Sequence, residues 1–168
     1  GLYSSKELVE WDQEINHGSD GASEENYLCL DGDVAKELYG DEINSDWRFK
    51  YQLEEKYYGF YYRTLKYNKQ TESTNEGKTN NRMLPMIRMS EVYYIAAEAI
   101  FDTKPKEARG YLELVKKGRG ISKKFDNVTN KSEFIDLLVN DARREFLGEG
   151  QIFYMYKRLN RLIPASSY

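Results

Sequence analysis

Residues 84–101, Leu84-Pro85-Met86-Ile87-Arg88-Met89-Ser90-Glu91-Val92-Tyr93-Tyr94-Ile95-Ala96-Ala97-Glu98-Ala99-Ile100-Phe101, set the fold class. Pro85 suits the first turn of a helix, where the N–H it lacks has no intrahelical partner. After it, Met86, Met89, Tyr93, Ala96, Ala97 and Ile100 recur at helical spacing. Val92, Ile95 and Ala99 make most of the remaining circumference apolar. A helix apolar nearly all round belongs in a protein interior, so this one is expected at the centre, with later helices laid against it. The small Ala96, Ala97 and Ala99 allow one of them to approach closely. Arg88, Ser90, Glu91 and Glu98 break the apolar pattern. Arg88 and Glu91 lie one turn apart, a spacing that predicts an ion pair. Glu91 and Glu98 are two turns apart, or ~10 Å, which is wide for a cooperating carboxylate pair, and the sequence places no histidine near them.

Downstream, Asp102-Thr103-Lys104-Pro105 is a short connection. Ala108, Tyr111, Leu112 and Val115 then form one apolar face of a second helix, which Gly118 and Gly120 can end. Lys116, Lys117 and Arg119 suit the negative pole of that helix. Helix, short turn and helix within this span resemble one tetratricopeptide (TPR) unit, although the Trp/Gly/Tyr signature of that repeat is missing. Asn130-Lys131-Ser132-Glu133 has the form of a capping box with Asn at its head. It opens a third helix with Phe134, Ile135, Leu138, Ala142 and Phe146 inward. Gly148-Glu149-Gly150 breaks the chain, and residues 152–160 resume helical character until Pro164.

Upstream the pattern weakens. His17 to Ser23 is dense in turn formers. The acidic triplet Asp31-Gly32-Asp33 lacks an EF-hand glycine, since position six from Asp31 is Lys36, so a turn and helix cap are expected. Val34, Ala35, Leu38 and Tyr39 predict a short helix stopped by Gly40. Asp46 to Tyr67 is rich in aromatic and strand-favouring residues and predicts one or two short strands or extended segments. Its interleaved basic residues also fit a single-stranded nucleic-acid platform, but Glu54 and Glu55 within it argue against that. Asn68 to Asn81 is a polar loop. The resulting division is a loop-rich, aromatic-rich segment over 1–83, with a possible ligand-binding surface, and a helical core over 84–168.

The chain has 168 residues, with 25 basic and 28 acidic side chains giving a net charge of −3. That balance gives no field for nucleic acid, and no apolar run approaches the ~20 residues of a membrane-spanning helix. One cysteine, Cys29, and one histidine, His17, exclude an intrachain disulfide and a Cys/His metal cluster. Fifteen tyrosines and two tryptophans stand out. Such residues offer flat faces with polar tips, suited to protein interfaces and to ligands that stack as sugars do.

Several pieces in order carry a family resemblance over roughly residues 34–162. They are Arg88-x-x-Glu91 with Ala97-Glu98-Ala99, Ala142-Arg143-Arg144-Glu145-Phe146 leading to Gly148-Glu149-Gly150, and Phe153-x-x-x-Lys157-Arg158. Upstream, Leu38-Tyr39, Asp46-Trp47-Arg48 and Lys66-Tyr67 add to them. The combination resembles the C-terminal part of the SusD/RagB family of nutrient-binding surface lipoproteins. Asp141-Ala142 and Gln151 depart from the family pattern. Family members are longer, so the resemblance implies a portion lacking its N-terminal half and its lipid anchor; the start at Gly1 without methionine fits a trimmed product. The implied fold is mainly α: a SusD-type fold of TPR-like helix pairs, with loop-rich segments and a few short strands.

The resemblance also implies a non-catalytic role without cofactor or metal. The protein would capture oligosaccharides at the outer surface of the outer membrane and deliver them to a SusC-like TonB-dependent transporter. Membrane association would come only through the missing anchor, with no nucleic acid as partner. Trp11, Tyr27 and Trp47 are the candidate stacking residues, because they lie in loop-rich stretches with polar neighbours; core packing is the competing role for each. Arg88, Glu91, Glu98, Arg143, Arg144 and Glu145 are charges on otherwise buried helices and are expected to pair across helix contacts. Gly148 and Gly150 are expected to permit a turn that docks Phe153 and Tyr154 on the bundle. The alternatives are a helical-repeat adaptor for protein or peptide, and glycan hydrolysis by carboxylates among Asp31, Asp33, Asp41 and Glu42.

Overall fold

The computed structural model describes residues 2–3, 29–66, 83–84 and 87–163. These form two compact units, one of residues Gly1–Gly32 with Tyr51–Ile87, the other of Asp33–Lys50 with Arg88–Tyr168. Residues 33–50 therefore join the helical unit rather than the aromatic-rich stretch with which their composition groups them. The described residues are mainly helical, with a few short strands.

The first unit holds strands β1 (Leu2–Tyr3), β2 (Cys29–Asp31), β3 (Leu53–Lys56), β4 (Tyr61–Thr64) and β5 (Met83–Leu84). β1 and β5 form an antiparallel pair, and β4 lies between β2 and β3 in an antiparallel three-stranded sheet. The β3–β4 hairpin pairs Leu53 with Thr64 and Lys56 with Tyr61, turning through a short 3-10 segment, Tyr57–Gly59.

α1 (Gly32–Tyr39) belongs to the second unit from Asp33 onward, and its Ala35, Leu38 and Tyr39 are buried at the spacing of one helical face. α2 (Trp47–Gln52) is a helix although its aromatic, strand-favouring residues predict a strand. The reason is local: the Asp46 carboxylate accepts the Arg48 backbone N–H at 2.9 Å, meeting a donor that helix starts leave unpaired.

α3 (Met89–Ile100) starts later than the proline suggests, with Arg88 extended at its N-cap. It is not apolar all round in its packing either. Ser90, Tyr94 and Ala97 form its buried face, while Met89, Val92, Ile95 and Ala99 are exposed. α4 (Pro105–Lys117) has its proline in the first turn and buries Ala108, Leu112 and Val115. α5 (Lys131–Glu145) is capped by Asn130, whose Oδ1 accepts from the N–H groups of Ser132 at 2.7 Å and Glu133 at 3.2 Å. α6 (Gln151–Arg158) follows Gly148 and Gly150, both in the left-handed region.

The core gathers α3, α4, α5 and α6. The rings of Phe101 and Phe134 stack with centroids 4.4 Å apart, and Tyr94 meets Phe146 edge-on. α6 docks through Tyr156, Ile152 and Met155, whereas Phe153 and Tyr154 are exposed. This corrects the expected docking pair: on so short a helix, 152, 155 and 156 share the face turned to the core, and 153 and 154 fall off it.

Candidate functional site

Asp46, Trp47 and Arg48 are consecutive residues with opposite fates. Asp46 and Arg48 are fully buried; Trp47, between them, is 52% exposed. The cause is an ion network in the helical unit. Arg48 grips Asp46 with two parallel bonds, Nε to Oδ1 at 2.9 Å and Nη2 to Oδ2 at 2.8 Å. From α5 it also meets Asp141 Oδ1 at 2.7 Å and Glu145 Oε2 at 3.3 Å. The planar guanidinium fork is suited to such multiple carboxylate contacts.

Other cations complete the balance. Arg119 donates to both Glu145 oxygens, at 2.9 and 2.5 Å. Lys116 bonds Glu42 at 2.8 Å and lies 3.7 Å from Asp141. Arg144 pairs with Glu42 and Asp46, donates to the Leu38 carbonyl at 2.9 Å, and lies over the Tyr39 ring. Tyr94 donates its hydroxyl to Asp141 at 2.6 Å. Arg48, Arg144, Lys116, Arg119 and Arg88 thus balance Asp46, Asp141, Glu145, Glu42 and Glu149, and the network is neutral. Neutrality is what makes burial of this many charges tolerable.

The electrostatics follow. Burial pushes the Glu145 carboxyl up, but hydrogen bonds from Arg119 and the charges of Arg119, Arg48 and Arg88 outweigh it and bring the group down to about 2. Asp141 is likewise raised by burial and lowered, on balance, by Arg48, Lys116 and Tyr94. Burial and the neighbouring Asp141 keep the Tyr94 phenol protonated, well above its ordinary range. Asp141 and Glu145 are thus held as carboxylates in ion pairs and Tyr94 as a neutral phenol, so the arrangement braces the helical unit.

Anchoring is what Trp47 receives. Its backbone N–H donates to the Arg119 carbonyl at 2.9 Å, and its indole lies over Gly120. A β-carbon at Gly120 would stand 2.4 Å from the indole Nε1 and 2.8 Å from the Ser45 carbonyl oxygen, and the glycine has φ +84°. Only glycine fits there without strain. Gly120→Ala is therefore expected to lower stability by about 1–3 kcal/mol and to shift the indole emission, as read by urea unfolding and fluorescence in a Trp11→Phe background. An unchanged spectrum and midpoint would refute this support.

Among the other residues singled out from sequence, Trp11 and Tyr27 lie outside the described residues. Arg88 reaches Glu149 at 2.5 Å and the Glu145 carbonyl at 3.3 Å. Glu98 pairs with Arg158 of α6 at 2.5 and 2.7 Å. Arg144 and Glu145 enter the buried network, and Arg143 is half-buried beside them in sequence. Asp46, Arg48, Asp141, Lys116 and Arg119 carry the network although periodicity and spacing do not single them out as charge pairs; the one visible hint is the Asp-x-Arg spacing at 46–48. Among the described residues no group of His, Cys, Asp or Glu is placed to hold a metal ion, and no helix is long and apolar enough to cross a membrane.

Buried ion pairs thus cross-brace the helical unit, and an exposed indole stands between two of their anchors. The family model described as the SusD family matches residues 34–162, and the chain belongs to that family. The family binds nutrients, carbohydrates among them, for uptake; its members are typically outer-membrane lipoproteins that work with SusC-like transporters. No curated protein and no solved structure matches the chain.

Proposed function

We propose that this protein captures nutrient oligosaccharides at the outer surface of the outer membrane, as part of a lipid-anchored protein, and passes them to a SusC-like TonB-dependent transporter. The observation that carries the reading is Trp47: a half-exposed indole fixed by buried neighbours, in a chain of a carbohydrate-binding family. A ring held rigid loses little conformational entropy when the apolar face of a sugar stacks on it. No step in capture needs a proton donor, nucleophile or cofactor, in keeping with a network of locked ion pairs.

Trp47→Ala is expected to weaken oligosaccharide binding at least about ten-fold while leaving the far-UV circular dichroism intact. Affinity electrophoresis through starch, xylan and laminarin gels reads this directly. Equal retention of parent and variant in every gel that retards the parent would remove Trp47 from the site.

The second reading, a helical adaptor for peptides, has one observation in its favour. A groove of ≈ 570 Å³ runs beside α4, lined by Tyr111, Leu114, Lys117, Ile121 and Lys124 among others. Its rim sets Lys117, Lys123 and Lys124 against Glu107 and Glu113, a small positive excess beside apolar side chains that would suit a peptide carrying an acidic group. Binding to an acidic peptide library, with no retention by any polysaccharide, would favour this reading over glycan capture.

A further inference from the structure

The tip of the β3–β4 hairpin presents three aromatic rings to water. Tyr58 is 99% exposed, Phe60 68% and Tyr61 48%. Tyr58 also has φ 56° and ψ 36°, the left-handed conformation that a bulky side chain rarely adopts. A glycine there would relieve the strain, and the next residue, Gly59, also has positive φ. The strained backbone therefore carries a large ring that contributes no packing to the fold. Strain of this kind concentrates at binding and switch positions.

The turn is also held firmly. The Gly32 N–H donates to the Phe60 carbonyl at 2.8 Å, and a β-carbon at Gly32 would lie 2.0 Å from the Gly59 carbonyl oxygen. The end of β2 thus presses directly on the turn. Polar groups border the rings: Tyr61 faces Lys56 across one side of the ladder and Asp31 across the other. Directly opposed residues share a face of the sheet, so a carboxylate and an ammonium flank that ring, the ammonium bonding Glu54 at 3.0 Å with one of its three donors.

We propose that this turn is a second oligosaccharide subsite, in which Tyr58, Phe60 and Tyr61 stack on sugar rings while Lys56 and Asp31 bond their hydroxyls. The inference rests on the glycan reading above and adds a site distinct in sequence from Trp47. Size favours a small ligand. Aromatic side chains bury about 150–250 Å² each when covered, so three partly exposed rings offer roughly 400 Å². A stable protein partner needs about 800 Å² from each side. Acidic Glu54, Glu55 and Asp31 around the tip also disfavour an anionic membrane surface.

The test uses the whole chain in starch, xylan and laminarin gels, followed by calorimetry with oligosaccharides of whichever polysaccharide retards it. The Tyr58→Gly/Phe60→Ala double variant is expected to bind about ten-fold more weakly, with Trp47→Ala as the comparison. Tyr58→Gly alone is expected to weaken binding yet melt no earlier than the parent, because it removes strain together with the ring. Parent-like affinity in the double variant, with Trp47→Ala still impaired, would overturn the second subsite and leave glycan capture standing. Earlier melting of Tyr58→Gly would show the ring to be structural and would also overturn it. Retention of the parent by none of the polysaccharides would overturn the glycan reading itself.

Discussion

Replacing Arg48 with methionine is expected to destabilise the helical unit by about 3–5 kcal/mol, the cost of removing one partner from a buried ion pair. Methionine approximates the length of the arginine stem, so little of the loss comes from a cavity. What remains is electrostatic: Asp46, Asp141 and Glu145 lose the cation that all three contact, and they stay buried. Arg119, Arg144 and Lys116 still face parts of the cluster, but none replaces the two parallel bonds to Asp46. Domains are stable by about 5–15 kcal/mol, so the variant should sit close to unfolding at room temperature. Urea denaturation followed by far-UV circular dichroism measures this. Arg48→Lys keeps the charge but loses the fork and should fall between parent and Arg48→Met. A methionine variant within about 0.5 kcal/mol of the parent would mean that the network contributes nothing to holding α2 on α5.

The network also explains which parts of the molecule are legible from sequence. α4 and α5 can be read because their signals are local: a proline at the first turn, an asparagine cap with two N–H partners, and apolar residues repeating on one face. The partners of Arg48 on α5 are separated from it by more than ninety residues, and no local pattern joins them. Asp141 is visible in the sequence only as a departure from the family pattern; in the fold it is the carboxylate shared by Arg48, Lys116 and Tyr94. α2 escapes a reading of the sequence for a related reason, since Trp47, Phe49 and Tyr51 favour strands on composition, while the Asp46 carboxylate that caps the helix locally is itself held in the buried ion pairs.

The two departures at α3 have one physical origin. Composition says how many residues are apolar, but it does not say how much of the circumference other elements will cover. Within the helical unit the core takes the Tyr94 and Ala97 side of α3; Glu98–Arg158 ties α6 to it, and Arg88–Glu149 ties the start of α3 to the turn before α6. Met89, Val92 and Ile95 point elsewhere, so a pattern that reads as a central helix produces a helix with one exposed apolar face. Trp47 is legible as a residue type but not in its placement. Its exposure follows from the burial of the residues on either side, which only the assembled network determines.

Acid should undo that assembly over a defined window. The Glu145 carboxyl lies at about 2 in the folded chain against an ordinary value of 4.5, and Asp141 and Glu42 are lowered as well. For Glu42 the path is the same: burial raises the group, and Lys116 and Arg144 more than reverse it. Each of these groups binds its proton more weakly in the folded chain than in the unfolded one. Their stabilisation is therefore complete above about pH 4.5 and is lost as the pH falls through that value towards about 2. For Glu145 alone the difference is roughly 3 kcal/mol, since each tenfold weakening of proton binding is worth about 1.4 kcal/mol, and the other two act in the same direction. The helical signal is expected to collapse within this window rather than near neutrality, with little effect of moderate salt because the pairs are buried. Arg119→Gln removes the leading partner of Glu145 and should move the loss to higher pH. A helical signal unchanged down to about pH 2, or a midpoint indifferent to Arg119→Gln, would show that these ion pairs do not hold the bundle together.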